Sequence, residues 1–204
     1  MENLSIGEQK SFLRKRAKAE LKNYFEDKAL SLQCAKTVAK LFTKSKEYAE
    51  AEAIFAYMAM DDEIDLSFVI KKALQDNKKV ALPRMAEKSN DMDFYFIDSL
   101  DETFSDDNKF KILEPLVKNQ RAEPEKIPEK TIFLVPGLAF NLEGARLGRG
   151  KGFYDKYLRR IPAGNKIFCG VCTVNVVTKA VPVKENDFRM NYLLTEYGFI
   201  SLNR

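Results

Sequence analysis

Thr131-Ile-Phe-Leu-Val-Pro-Gly-Leu-Ala-Phe-Asn-Leu-Glu-Gly-Ala-Arg-Leu-Gly-Arg-Gly-Lys-Gly-Phe-Tyr-Asp-Lys-Tyr-Leu158 reads as strand, glycine-rich loop and helix in direct succession. Thr131 to Val135 is an apolar run of strand length, closed by Pro136-Gly137. Gly144, Arg146, Gly148, Arg149, Gly150, Lys151 and Gly152 follow as a loop that interleaves glycine with base. A helix opens near Gly152 and stops before Pro162, with Tyr154, Leu158 and Ile161 on one stripe. Glycines let backbone N–H groups approach an anion closely, and a helix start adds further N–H groups and its dipole. The segment therefore reads as a polyphosphate cradle, with Asp155 placed to hold the metal. It is not a Walker A loop, because Ala145 and Gly152 stand where that pattern needs glycine and Ser/Thr. Nor is it G-x-G-x-x-G, since Gly148, Gly150 and Gly152 are spaced by two. A flexible connection with incidental charge explains this strict interleaving poorly.

Outward from this segment, strands alternate with helices. Ser5-Ile-Gly-Glu8 has the form of a capping box and opens a long helix with Leu13, Ala17, Leu21 and Tyr24/Phe25 as its apolar stripe. A second amphipathic helix spans Lys28 to Phe42, with Leu32, Ala35, Ala39 and Phe42 on one face. Ala53 to Met58 reads as a strand, and Asp65 can cap a helix running to Gln75. Lys79 to Pro83 and Asp93 to Ile97 are short strands; Lys166 to Val174, Tyr192 to Thr195 and Gly198 to Ser201 supply later ones. The polar, proline-punctuated stretch 98–130 reads as an irregular excursion, the kind of long loop that is usually functional, and a lid is the hypothesis for it. The pattern predicts an α/β fold: one layered domain, 1–204, with a central, mostly parallel sheet flanked by helices.

Bulk composition narrows the chemistry. At 45% hydrophobic and 31% charged residues the chain has a globular, not a disordered, composition. A net charge of +4 with acids interspersed among the bases is too balanced to argue for nucleic acid. No apolar run reaches membrane-spanning length and no signal-peptide core opens the chain, so a cytoplasmic location without membrane association is expected. Histidine is absent, which excludes Ser-His-Asp and Cys-His catalysis and His-ligated zinc. Three cysteines fit a reducing compartment; Cys169 and Cys172 spell C-x-x-C, but within an apparent buried strand they read as small hydrophobes.

Two further clusters are ambiguous on spacing. Lys10 and Arg14 share a helix face beside Leu13 and could reach inward, yet spacing alone favours a solvated basic face like that of Lys15, Arg16, Lys18 and Lys22. Asp61, Asp62, Glu63 and Asp65 follow the C-terminal end of a predicted strand, the edge at which α/β sheets bind ligands, though a cap and a solvated turn would also use them. Asp187, taken alone, is a loop aspartate.

Taken in order, these residues resemble the 5-formyltetrahydrofolate cyclo-ligase family, also called methenyltetrahydrofolate synthetase. Lys10-Ser-Phe-Leu-Arg14 is similar to its N-terminal K-x-x-[LI]-R, and Met60-Asp-Asp-Glu63 to its strand-end segment. Leu82-Pro-Arg84 and Ile112-Leu-Glu-Pro115 are similar to two weaker stretches. Val135 to Phe140 with Arg146 to Asp155 resembles the family's hallmark, and Val181-Pro through Asp187 its final block. Asn141 and Asn186 stand where the family usually has aspartate and often has histidine, and no metal role is expected of Asn141.

The resemblance implies an ATP-dependent ring closure of 5-formyltetrahydrofolate to 5,10-methenyltetrahydrofolate, with ADP and phosphate released. ATP is then a co-substrate, Mg²⁺ a cofactor and a reduced folate the small-molecule partner of a monomer or weak dimer. It implies that Lys10, Arg14, Arg146, Gly148, Arg149, Gly150, Lys151, Gly152, Phe153 and Tyr154 hold the nucleotide. Met58 and Glu63, with Arg149, Gly150, Lys151, Gly152 and Phe153, are expected at the folate. Asp155 and Asp187 are the expected Mg²⁺ ligands, and Arg149, Lys151 and Tyr154 the catalytic residues; Tyr154 fits a core position equally well. The competing readings are a phosphate- or RNA-binding module without catalysis, and an ATP-dependent enzyme of the same fold acting on another small formylated substrate.

Overall fold

The computed structural model describes residues 4–86, 91–100 and 112–202. Helix α1, Ile6–Glu26, begins at the expected capping box: the Ser5 hydroxyl accepts from Glu8 N–H at 3.3 Å, and the Glu8 carboxylate accepts from Ser5 N–H at 2.9 Å. Ala17, Leu21 and Phe25 are buried along its stripe, with Leu13 and Tyr24 packed beside them. Asp27 ends α1 and caps α2, Lys28–Thr43, accepting from the N–H groups of Ala29 and Leu30. Helix α2 buries Cys34, Ala35, Val38, Ala39 and Phe42. Leu32, expected on that face, is exposed, because the buried arc is centred on the Cys34–Val38 side. A short α3, Lys46–Glu50, was not anticipated; Ser45 caps it and Tyr48 packs edge-on against Phe42.

The remaining chain alternates strand and helix: β1 Ala53–Phe55, α4 Ser67–Gln75, β2 Lys79–Met85, β3 Met92–Ile97, β4 Thr131–Pro136, β5 Ala139–Phe140, β6 Arg146–Leu147, α5 Phe153–Leu158, β7 Ile167–Val171, β8 Tyr192–Thr195 and β9 Gly198–Ser201. Seven strands form the main sheet in the order β3-β2-β1-β4-β7-β8-β9. The five inner strands pair in parallel, and β3 and β9 join the two edges antiparallel. Helices α2 and α4 pack on each other and on the sheet, and α5 packs on β3. The α/β reading holds.

Boundaries moved where side-chain pattern was the only guide. Strand β1 stops at Phe55 instead of running to Met58, while β2 continues past Pro83 to Met85. Asp65 is one residue before the N-cap of α4, which is Leu66; its carboxylate still accepts from Ser67 N–H and hydroxyl at 2.8 Å. Residues beyond Val171 leave β7 and form a 3₁₀ turn, Val174–Val176. Arg146 and Leu147 lie on a strand, not in the loop, in a small hairpin with β5. Asn141 closes that hairpin by accepting from Glu143 and Ala145 N–H at 3.1 and 2.8 Å. Gly144 turns it with φ +80°, and a Cβ there would lie 2.2 Å from the Met190 carbonyl oxygen.

Of the 98–130 excursion, the described residues 112–130 carry a 3₁₀ turn, Pro124–Lys126, and part of them is tied down. Phe96 N–H donates to the Gln120 carbonyl and Ala122 N–H to the Phe94 carbonyl, so the chain runs back along β3. Residues 101–111, the centre of the expected lid, lie outside the described residues. Cys34, Cys169 and Cys172 are free and buried, as the small-hydrophobe reading requires. Burial pushes the Cys34 thiol up to about 11. Among the described residues no helix is long and apolar enough to cross a membrane.

An aromatic cluster lies between the inner strands and α5. Phe55 meets Phe133 at 4.6 Å and Phe94 at 5.1 Å, Phe133 stacks on Phe168 at 5.2 Å, and Phe94 meets Tyr157 at 4.8 Å. Phe133→Ala should therefore cost about 3–5 kcal/mol of unfolding free energy. Urea unfolding should show a lower midpoint with an unchanged slope.

Candidate active site

A cavity of about 330 Å³ opens at the C-terminal ends of β1, β2 and β4. Strand order reverses direction there: β1 leads to β2 on one side, and β4 to β7 on the other. In α/β sheets such a switch point leaves a crevice, because the connections leave adjacent strand ends toward opposite sides. The residues assigned to ATP, folate, metal or catalysis border this cavity: Lys10, Arg14, Met58, Glu63, Arg146, Gly148 to Asp155, and Asp187. Of the acidic cluster only Glu63 does; Asp61, Asp62 and Asp65 lie outside the lining.

Helix α1 supplies the first wall. Lys10 is buried and forms an ion pair with Asp187; Arg14 Nε donates to the Gly148 carbonyl at 2.9 Å. The solvated-face reading holds for Lys15, Arg16, Lys18 and Lys22, which are exposed, and fails for Lys10 and Arg14. Sequence spacing could not separate the two sets, since what turns Lys10 inward is an aspartate far along the chain. Gly150, at φ +103°, lets the loop pass the Arg14 guanidinium, with a hypothetical Cβ 3.5 Å away.

Arg146 lies beneath the loop. Its Nη1 donates to the Pro136 carbonyl at 3.2 Å and its Nη2 to Asp155 Oδ1 at 2.8 Å, while its buried Nε has no hydrogen-bond partner. It braces Asp155, which also accepts from Phe188 N–H at 3.2 Å. Asp187 accepts from Lys184 N–H at 2.6 Å in addition to Lys10. Burial raises the Asp187 carboxyl, but these hydrogen bonds and the charges of Lys10 and Arg146 outweigh it and hold the group below the ordinary carboxylate range. Among the described residues no three acids or cysteines gather into a metal cage.

The opposite wall is acidic. Arg149 donates to Glu63 at 3.0 and 3.2 Å and to both oxygens of Asp62. Burial raises the Glu63 carboxyl, and the Arg149 charge with the Met60 N–H pulls it back only in part. Beyond Glu63 the lining turns apolar, with Tyr57, Met60, Pro83, Met85, Met92 and Ile112. Glu114 is buried at this end and accepts from Met85 N–H at 3.1 Å; burial pushes its carboxyl up. Spacing alone gives none of these a role, although Met60, Pro83, Ile112 and Glu114 lie in stretches that carry the family resemblance. Tyr154 is both wall and core: its ring lies against Arg146 and Phe94 while bordering the cavity. Lys151 is exposed at the rim, and α5 begins at Gly152 without a side-chain cap.

The model of the 5-formyltetrahydrofolate cyclo-ligase family matches residues 6–196. The chain is similar to 5-formyltetrahydrofolate cyclo-ligase of Mus musculus, 28% identical over 154 residues, covering 74% of this chain and 76% of that protein. It is similar to the Saccharomyces cerevisiae protein of the same name at 29% over 167 residues, covering 74% and 79%. Among solved structures it resembles Aquifex aeolicus 5,10-methenyltetrahydrofolate synthetase, with a TM-score of 0.78, 27% identity and coverage of 96% and 93%. A Mycoplasma pneumoniae 5,10-methenyltetrahydrofolate synthetase shares the fold at 18% identity and a TM-score of 0.67, covering 92% and 98%.

Lys10→Met should raise the Asp187 pKa, read by carboxyl NMR titration, and cost about 1–3 kcal/mol at neutral pH. Because folding depresses the Asp187 pKa, its contribution is complete above the ordinary carboxylate range. It is lost as pH falls through the depressed value, so the unfolding midpoints of the two proteins should converge in acid.

Proposed function

This chain belongs to the 5-formyltetrahydrofolate cyclo-ligase family, a family of enzymes, and on that premise we propose that it closes 5-formyltetrahydrofolate to 5,10-methenyltetrahydrofolate at the expense of ATP. One observation carries the reading. A single cavity combines a glycine-rich basic loop and two aspartates with an apolar, methionine-lined end that holds a buried glutamate. The first half suits a polyphosphate, and the second suits a flat heterocycle with N–H donors.

The chemical problem is a poor leaving group on a poor electrophile. Phosphorylating the formyl oxygen addresses both; N10 of the folate then attacks the activated carbon and phosphate departs. Such a transfer needs positioning and charge neutralisation more than a protein nucleophile, which a chain without histidine can provide. Lys10, Arg14, Arg149 and Lys151, with the backbone of Gly148, Gly150 and Gly152, are assigned to the phosphates. Arg146 contributes by bracing Asp155. Met58, Glu63 and Phe153 are assigned to the folate, and Tyr154 to the wall between the two.

Asp155 and Asp187 fit Mg²⁺. Among the described residues the first is engaged through Oδ1 and the second through Oδ2, so each retains an oxygen for a hard cation. Magnesium commonly takes one or two carboxylates and completes its shell with phosphates and water. When bound, it would supply charge neutralisation on the transferred phosphoryl group.

Purified protein mixed with 5-formyltetrahydrofolate and MgATP should develop the methenyl chromophore, dependent on both ATP and Mg²⁺, with ADP formed in step. Arg149→Ala should lower turnover by roughly 10²–10³-fold with the protein still folded. Glu63→Ala should weaken folate binding more than nucleotide binding, and Asp155→Asn should raise the Mg²⁺ requirement. Normal turnover by Arg149→Ala would remove the loop assignment; ADP formation without chromophore would redirect the search to another formylated substrate.

A further inference from the structure

Arg149 is divided between two adjacent carboxylates that do different work. Asp62 receives both terminal nitrogens of the guanidinium, Nη1 on Oδ2 at 3.2 Å and Nη2 on Oδ1. This is the two-point geometry that fixes a guanidinium plane. Glu63 takes the other edge, accepting at Oε1 from Nε at 3.2 Å and from Nη2 at 3.0 Å. Its second oxygen, Oε2, is held by Met60 N–H at 3.1 Å, which ties the glutamate to its own turn. The Asp62 side chain is 23% exposed, whereas that of Glu63 is 11% exposed.

The charge balance sets up a conflict. Two ionised carboxylates on one guanidinium leave the trio with a net negative charge, a poor partner for a phosphate. Yet Arg149 lies between Gly148 and Gly150 in the loop assigned to the nucleotide. For its charge to reach a phosphate, one carboxylate has to let go. Glu63 is the one with an alternative partner, because it borders the apolar end of the cavity where a heterocycle with N–H donors would lie. Asp62 has the stronger two-point grip and no place in that lining.

Resting on the function proposed above, we propose that Asp62 is a positioning residue that anchors Arg149 throughout the cycle. Glu63 then passes from Arg149 to the N–H groups of the bound pterin and so releases Arg149 to the nucleotide phosphates. The two substrates thereby bind cooperatively, and the coupling is reciprocal.

Calorimetry with a non-hydrolysable ATP analogue and Mg²⁺, with and without saturating 5-formyltetrahydrofolate, tests this. In the unaltered protein the folate should tighten nucleotide binding roughly 5- to 100-fold. Glu63→Gln should bind the nucleotide alone about as tightly as the folate-saturated protein does, with the coupling lost. Asp62→Asn should keep or tighten nucleotide binding and retain the coupling, while kcat falls about tenfold or more and the melting temperature stays put. Asp62→Glu, which keeps the charge, should recover most of that loss. A merely structural Asp62 would lower the melting temperature and shift both KM values without this split. Turnover without coupling in the unaltered protein, or a normal kcat in Asp62→Asn, overturns this inference alone. No folate binding and no turnover in the unaltered protein overturns the functional reading and this inference with it.

Discussion

Phe55 and Phe133 face each other across the parallel β1–β4 pair, with ring centroids 4.6 Å apart. The rest of the molecule is arranged around that contact. It fixes the register of the two strands whose connections leave in opposite directions, and so fixes where the crevice opens. Side chains alternate along a strand, so a slip of one residue would turn the aromatic rings out of the core and carry the strand ends out of alignment. Tyr57 and Met58, just past β1, and Pro136 and Gly137, at the end of β4, line the same cavity. Of the antiparallel edges, β9 closes the sheet without lining the cavity, whereas β3 joins the aromatic contact through Phe94 and lines the cavity through Met92.

Within the crevice, charge is mostly internally balanced. Lys10 pairs with Asp187, Arg146 with Asp155, and Arg149 with Asp62 and Glu63. Each pair joins segments distant in sequence or crosses the turn of a loop, so the ion pairs hold the cavity's walls together. Arg146 is the most buried of these bases, lying under the loop and bound to both a carbonyl and a carboxylate. Lys151, by contrast, is exposed at the rim. An anion that reached Lys10, Arg146 or Arg149 would have to displace an existing carboxylate partner, whereas among the described residues Arg14 and Lys151 carry none.

Local signals were legible in the chain where one short segment contained both partners. The capping box of Ser5 and Glu8, the stripe of Ala17, Leu21 and Phe25, and the glycine loop itself all belong to this class. The fold class followed from alternation of strand and helix, and the cavity gathered every residue marked for it. What escaped depended on distant partners. Lys10 looks like its solvated neighbours until Asp187 is beside it. Arg146 looks like a loop base until β5 pairs with its backbone. Leu32 fits an apolar helical pattern, but the core does not extend to it. The apolar end of the cavity, with Met85, Met92 and Glu114, is assembled from the antiparallel edge of the sheet and the chain that runs back past it, which no local period announces.

The Lys10–Asp187 pair joins residues 177 positions apart in the chain. At synthesis rates of about 5–20 residues per second, the lysine leaves the ribosome roughly 10–35 seconds before its aspartate does. During that interval the apolar stripe of α1 can already pack on α2, but Lys10 faces no completed cavity. The sheet strands β1, β2 and β4 can pair meanwhile, but the Lys10 wall of the cavity has to wait for the last loop. The wall built on Lys10 is therefore completed only when the last loop of the chain is made, and the cavity is among the last parts of the fold to mature.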